Sequence, residues 1–268
     1  LTSVESIPDI TGFTFDPIEK KISYSESQQA VLDELIPKIR AKKFISSLLH
    51  GVTGSGKTEV YMQAISEVIS YGRQAIVLVP EISLTPQTVA RFRSRFGRVA
   101  VLHSHLSDVD RHRQWSHIAS GNVPVVVGAR SAVFAPTPQL GLIVIDEEHE
   151  TSFKQDSAPR YHAREVAERR ASAEGIPLLL GSATPSLESY ARSEAGHYRL
   201  VEMPQRIFNR PLPTVATIDL CSHRQDRHAR GAISRQLHNA MAEALRDGGQ
   251  VILLLNRRGF STHIQCPS

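Results

Sequence analysis

The chain has 268 residues, 41% hydrophobic and 22% charged, the balance of an ordinary globular protein. That composition excludes a disordered tail, a collagen-like repeat and a disulfide scaffold. Lys and Arg number 31 and Asp and Glu 27, so the formal net charge of +4 permits a nucleic-acid partner without requiring one. The two cysteines, Cys221 and Cys266, lie far apart and write no disulfide framework, which points to a reducing, cytoplasmic compartment. No apolar run approaches the roughly 18 residues of a membrane helix, so no membrane partner is expected. The chain opens on Leu1 rather than Met and stops after Cys266-Pro267-Ser268, so it is expected to be a piece of something longer.

Residues 1–23 carry Pro8, Gly12 and Pro17 and read as a linker or the tail of a preceding domain. The spacing of Val31, Leu32, Leu35, Ile36 and Ile39 predicts a helix over 27–40, with Pro37 an obstacle in its second half. At its start, Gln28 is either part of a polar helix opening or a group that hydrogen-bonds an adenine edge. Short Val-, Ile- and Leu-rich runs at 46–51, 75–79, 99–102, 123–127, 142–146 and 177–181 predict strands, and amphipathic stretches at 58–70, 85–96, 108–120 and 163–174 predict helices. Buried strands alternating with helices mean an α/β fold with a mostly parallel sheet covered on both faces, here over residues 24–203. Residues 204–231 read as a connector carrying one strand at Thr214–Asp219 and a basic, solvated run at 223–230. A helix at Ile233–Arg246 and a strand at Val251–Leu255 are expected to open a second domain over 232–268.

The run Gly51-Val52-Thr53-Gly54-Ser55-Gly56-Lys57-Thr58 fits G-x-x-x-x-G-K-[ST] between an apolar run and a helix. Its glycines let backbone N–H groups turn toward a phosphate, and the helix N-terminus adds its dipole. Lys57 is expected to reach the β- and γ-phosphates of ATP, and the Thr58 hydroxyl to ligate Mg²⁺. The strand at 142–146 ends in Asp146-Glu147-Glu148-His149, which a parallel sheet puts at its ligand-binding carboxyl edge. Asp146 is expected to hold Mg²⁺ and Glu147 to orient and deprotonate an attacking water. Asp-Glu-x-His after a strand points to a nucleic-acid motor, with His149 linking the phosphate site to the rest of the machine. Gly181-Ser182-Ala183-Thr184 closes another strand, where small hydroxyl residues can bond the acidic cluster and report the γ-phosphate. Thr184 can equally cap a helix over 185–194 with Pro185 at its first position, and both readings can hold together.

Together these motifs resemble the superfamily 2 helicases. Further strings narrow the resemblance to the primosomal replication-restart helicases of bacteria: Leu78-Val79-Pro80-Glu81-Ile82-Ser83-Leu84-Thr85-Pro86-Gln87, Leu102–Ser107, Val127–Pro136, Asp146–Gln155, Arg160-Tyr161-His162-Ala163-Arg164 and Leu254–Phe260. They run in the right order over about residues 24–268. The resemblance implies a 3′-to-5′ ATP-driven DNA helicase that reloads replication machinery at abandoned forks. Its partners would be single-stranded and forked DNA, primosome proteins and single-strand-binding proteins. It also implies two RecA-like lobes with nucleotide between them, of which this chain would hold the first and the start of the second. The family's arginine finger and fork-binding domain would lie outside the chain, so the chain alone is expected to bind nucleotide weakly and hardly hydrolyse it. Cys266 matches the first ligand of the family's two-zinc insertion, and one cysteine cannot make a Zn²⁺ site.

Residues 151–162 mix aromatics with cations directly after the acidic strand. Phe153 and Tyr161 could stack on bases while Lys154 and Arg160 meet phosphates, as in the family's aromatic-rich loop; the competing reading is a solvated loop whose aromatics pack on the core. Arg130, Ser131 and the Pro80–Thr85 loop are further candidate DNA contacts. Arg91, Arg93, Arg95 and Arg98 read as an exposed helix face, and His103 with His105 lacks a third ligand for a metal. Two rival readings are an ATP-gated DNA-binding loading scaffold without motor activity, and an RNA helicase or chromatin-type translocase.

Overall fold

The computed structural model describes residues 23–207, 213–219 and 233–254. They divide into two units, Leu1–Arg210 and Pro211–Ser268. In the first unit the order is α1 (Glu26–Arg40), β1 (Ile45–Gly51), α2 (Lys57–Ser70), β2 (Gln74–Leu78), α3 (Pro86–Phe96), β3 (Val99–Leu102), α4 (Asp108–Ala119), β4 (Val125–Gly128), β5 (Leu140–Asp146), α5 (Ala163–Glu174), β6 (Pro177–Ser182), α6 (Leu187–Glu194) and β7 (Arg199–Met203). The strands form one sheet in the order β3-β4-β2-β5-β6-β1-β7. Every pairing is parallel. All strand carboxyl ends therefore reach one edge, and the chain crosses back along helices between them.

Successive residues of the inner strands feed two separate cores, as a period of two requires. Leu49, Ala75, Val77, Val125, Val127, Leu142, Val144 and Leu179 pack with α1, α2 and α3. Leu48, Ile76, Leu78, Val126, Ile143, Ile145, Leu178 and Leu180 pack with Ile118 of α4 and with Ala163, Ala167 and Ala171 of α5. The three alanines let α5 lie close to the sheet. The helix starts are mostly closed by hydroxyls: Ser25, Thr85, Ser107 and Ser186 accept from backbone N–H groups of α1, α3, α4 and α6.

Several expectations shift. α1 runs through Pro37 to Arg40. The expected strand at 123–127 begins at Val125, because Pro124 has no N–H to give a ladder. α6 starts at Leu187 with Ser186 as its cap, not at Pro185 with Thr184, because the Ser186 N–H is taken by the Glu148 carboxylate at 2.7 Å. β7 has no signal in the pattern: it is an edge strand on β1 that buries only Val201 and Met203, with Arg199 and Glu202 exposed, so it has no continuous apolar run.

In the second unit, α7 (Arg235–Arg246) is capped by Ser234 and buries none of its residues. The strands expected at Thr214–Asp219 and Val251–Leu255 are absent among the described residues, with Val215, Ile252 and Leu254 at 82%, 94% and 91% exposure. An apolar run becomes a strand only when a neighbour supplies its ladder, and neither run has one there. Leu255, the basic run at 223–230 and Cys266 lie outside the described residues.

Ile65 of α2 is fully buried between helix and sheet. Ile65→Ala is expected to cost about 2–5 kcal/mol of folding stability through lost transfer energy and the cavity left behind. A urea titration would show this as a lower midpoint at unchanged slope; an unchanged midpoint would contradict the packing described.

Candidate nucleotide site at the carboxyl edge of the sheet

The loop between β1 and α2 turns on Gly54 and Gly56, with φ of 81° and 86°, the left-handed region where glycine is at ease. It is pinned from both sides. Val52 N–H donates to Met203 O at 3.1 Å, Ser55 N–H to Val52 O at 3.0 Å, and Ile207 N–H to Gly54 O at 3.0 Å. Gln28, inside the α1 capping box, donates from Nε2 to Gly56 O at 3.3 Å. Among the described α-helices, α2 alone begins without a side-chain cap, Gly56 standing at its N-cap. Its first N–H groups are thus left for another acceptor. Ser55 Oγ is buried and unpartnered in the same turn. Lys57, 8% exposed, donates to Gly51 O at 2.8 Å and lies along the loop. Thr58 follows on the first turn of α2, and Thr53 is exposed at the loop tip.

Asp146 ends β5 on the same edge, two strands from β1. Burial, and then the Glu147 charge, raises its pKa above the ordinary carboxylate value. A hydrogen bond from Tyr61, the Lys57 charge and the Glu147 N–H act the other way. The phenol of Tyr61 is itself pushed well up, by burial first and by Asp146 next. Glu147 stands at φ 47°, a strained conformation for a residue with a Cβ. The strain is held by neighbours: Glu148 N–H donates to Gly181 O at 3.0 Å and Glu150 N–H to Glu147 O at 2.9 Å.

His149 Nδ1 lies 2.7 Å from Ser182 Oγ, with the direction of the bond set by the tautomer, and 3.6 Å from Glu147 Oε2. Ser182 Oγ also accepts from Thr184 N–H at 2.9 Å. The acidic strand end and the Gly181–Thr184 turn are therefore joined directly, with Ala183 half-buried between them.

Glu148 points the other way, into the protein. Its carboxylate accepts from Arg164 Nη1 at 2.8 Å, Ser186 N–H at 2.7 Å and Ser189 Oγ at 2.8 Å. Glu148 and Arg164 stand inside quoted motifs, but the sequence gives neither a role of its own, because an acid in an acidic turn and an arginine on a charged helix look like surface. Tyr61, which reads as helix core, was missed for the same kind of reason. Arg206, whose Nε is buried without a partner, borders Gly54 and also carried no motif.

The candidate DNA residues divide. Arg130 donates from Nη1 to the carbonyls of Ser152 and Lys154 at 3.0 and 2.6 Å, and its guanidinium lies 6.0 Å over the Tyr161 ring. Tyr161 packs edge-on against Phe134 at 5.1 Å. Ser131, Lys154 and Arg160 are exposed, Arg160 donating to Asp156 O at 3.1 Å. Phe153 corrects its expectation: it is 1% exposed in the second core and has no free face for a base. A separate open groove lined by Phe44, Glu168, Arg169 and Arg192 has a volume near 850 Å³. It borders the start of β1, at the opposite end from the glycine loop.

The DEAD/DEAH box helicase family matches residues 25–193. The chain belongs to that family. Within it, the sequence is 47% identical over 243 residues to replication restart protein PriA of Bacillus subtilis, covering 90% of this chain and 30% of that protein. It is 49% identical over 229 residues to PriA of Synechocystis, covering 82% and 27%. The chain thus spans about a third of the curated relatives it matches, and the match falls on their first helicase lobe. RecG bound to a three-way DNA junction superposes with a TM-score of 0.55 at 24% identity over 72% of this chain, which supports a RecA-like fold for the lobe.

Arg164→Met is expected to destabilise the lobe by about 3–5 kcal/mol, because it strands the Glu148 carboxylate, whose side chain has 0% exposure. Adding Glu148→Gln to that variant should restore most of the loss in a denaturant titration. Independent, additive effects of the two changes would show that the pair is not coupled.

Proposed function

We propose that the chain is the nucleotide-binding lobe of an ATP-dependent DNA helicase acting in replication restart. One observation carries the reading. The uncapped start of α2 directly follows two left-handed glycines, Gly54 and Gly56, at the sheet edge that bears Asp146 and Glu147, in a chain 47% identical to PriA. Free N–H groups, a helix dipole and Lys57 suit a triphosphate. The buried, unpartnered Ser55 hydroxyl supports a ligand in that turn.

Thr58 and Asp146 offer the hard oxygen donors that Mg²⁺ takes alongside phosphates and water, and they would hold it. The bound ion would neutralise charge on the phosphates. Lys57 steadies charge on the β- and γ-phosphates, and Glu147 orients a water and accepts its proton. His149, bonded to Ser182, carries the state of that site to the Gly181–Thr184 turn. Gln28, which touches Gly56, lies where a nucleotide-dependent contact would be felt by the loop.

DNA contacts fall to Arg130, Ser131, Lys154, Arg160 and Tyr161 around the same edge. Such backbone-directed binding tolerates any sequence and weakens steeply with salt. Polarity of 3′ to 5′, work at forks, and primosome and single-strand-binding proteins as partners come with the family resemblance, and a cytoplasmic location with the cysteine usage. No described helix is long and apolar enough to cross a membrane. Zinc in the full-length protein would rest on Cys266 and ligands beyond it, and Cys266 lies outside the described residues.

In the complete helicase, Glu147→Gln should keep ATP binding and lower DNA-stimulated turnover and unwinding by about 10²-fold or more. Lys57→Ala should lose ATP binding itself. Wild-type unwinding by Glu147→Gln would sink the motor reading and leave the ATP-gated scaffold. Stronger stimulation by single-stranded RNA than by single-stranded DNA would move the substrate class.

A further inference from the structure

Tyr61 lies one turn into α2 and is 1% exposed. A buried phenol hydroxyl needs a partner. This one donates to Oδ1 of Asp146 at 3.1 Å, joining α2 to the end of β5. The third member of the contact is a missing side chain. A Cβ on Gly181 would stand 1.6 Å from the Tyr61 hydroxyl oxygen and 2.6 Å from ring carbon Cζ, far inside contact distance. Gly181 has no left-handed φ to explain it, so the reason for glycine here is space rather than backbone freedom.

Asp146 accepts a second hydrogen bond, from the Glu147 N–H at 3.1 Å, and it too falls on Oδ1. Two donors on one oxygen, one from a helix and one from the backbone, fix the rotation of the carboxylate. Neither of them takes Oδ2. Thr58 and Tyr61 are three residues apart in α2 and share a face of that helix. A single helical turn thus carries both the hydroxyl of Thr58 and the group that orients Asp146.

We infer that Tyr61 is a positioning residue for a divalent cation at Asp146, holding Oδ1 so that Oδ2 is presented to the ion, with Gly181 leaving room for its hydroxyl. The inference rests on the reading of Asp146 as a cation ligand and extends it to a residue outside the motif spacings. A carboxylate that lost this donor would turn more freely, and part of the cation's binding energy would go into fixing it again.

The test is binding rather than turnover. A fluorescent ATP analogue is titrated onto the complete helicase with and without Mg²⁺, and Mn²⁺ in the protein–nucleotide complex is followed by electron paramagnetic resonance. Tyr61→Phe keeps the ring and removes only the hydroxyl. The Mg²⁺ needed for half of the metal-dependent gain should rise about tenfold, while affinity in EDTA stays the same. Gly181→Ala, which drives the hydroxyl off Asp146, should move the Mg²⁺ requirement the same way. Met62→Leu, a buried neighbour on the same helix, should leave it unchanged. In an Asp146→Asn background, Tyr61→Phe should add nothing. A Tyr61→Phe chain with the wild-type Mg²⁺ requirement overturns the inference alone, and so does an equal loss with and without metal, the mark of general damage. A wild-type complete helicase that binds no nucleotide at all overturns the nucleotide reading and this inference together.

Discussion

A wholly parallel sheet is the constraint on which the rest of the molecule depends. Because every pairing is parallel, each strand must hand over to its helix at the same edge. The glycine turn after β1, the acids after β5 and the small residues after β6 converge there with no further device. β1, β6 and β5 are consecutive in the sheet, with Leu49 opposite Gly181 and Asp146 opposite Gly181 in register. Gly181 is thus the hub between the two halves of the edge. Its carbonyl receives the Glu148 N–H, and its missing side chain admits Tyr61.

The acidic turn at the end of β5 shows how one short segment serves two opposite demands. Asp146 and Glu147 face the open edge, where partial burial and mutual repulsion raise the Asp146 pKa. Glu148, one residue on, is buried and fully engaged with Arg164, Ser186 and Ser189. A buried ion pair adds little net stability over an apolar pair, but it specifies geometry, and loss of one partner is costly. Here it holds a backbone that would otherwise relax, since Glu147 sits at positive φ immediately beside it. The strain is small, of order 1–3 kcal/mol, and the surrounding bonds are enough to keep it.

What the sequence disclosed and what it hid follow from the same physics. Strands such as β2 and β5, buried on both faces, are continuous apolar runs and were visible as such. β7 is buried on alternate residues only, and its Arg199 and Glu202 look like surface, which they are. The glycine turn and the acidic strand end were legible because close approach to a phosphate or a metal restricts residue type at fixed spacing. Tyr61 with Asp146, and Glu148 with Arg164, were illegible because their partners are brought together by the fold and not by spacing. Local chemistry alone offers Thr184 as a helix cap, whereas the long-range claim of Glu148 on Ser186 N–H goes with a cap two residues later, at Ser186. Phe153 failed as a base platform for a similar reason, since its place between exposed neighbours did not reveal that it turns into the core.

The segment between Glu148 and Arg164 gives these contacts a common consequence. It begins just after β5 ends at Asp146 and runs to Arg164 in the first turn of α5, and the side chains of Glu148 and Arg164 are bonded at 2.8 Å, so the loop is closed at its base by an ion pair. Inside it, Gln155 N–H donates to Tyr161 O at 2.8 Å and Lys154 bridges His162, which narrows the loop to a tight return. From outside, Arg130 grips the carbonyls of Ser152 and Lys154 and covers the Tyr161 ring. A closed loop cannot slide along its own chain. At its base, Glu148 is flanked by Glu147 on one side and His149 on the other. Glu148, tied to Arg164 at 2.8 Å, thus stands directly beside Glu147, whose backbone at φ 47° costs energy to hold, so the ion pair that closes the loop and the strained residue are chain neighbours.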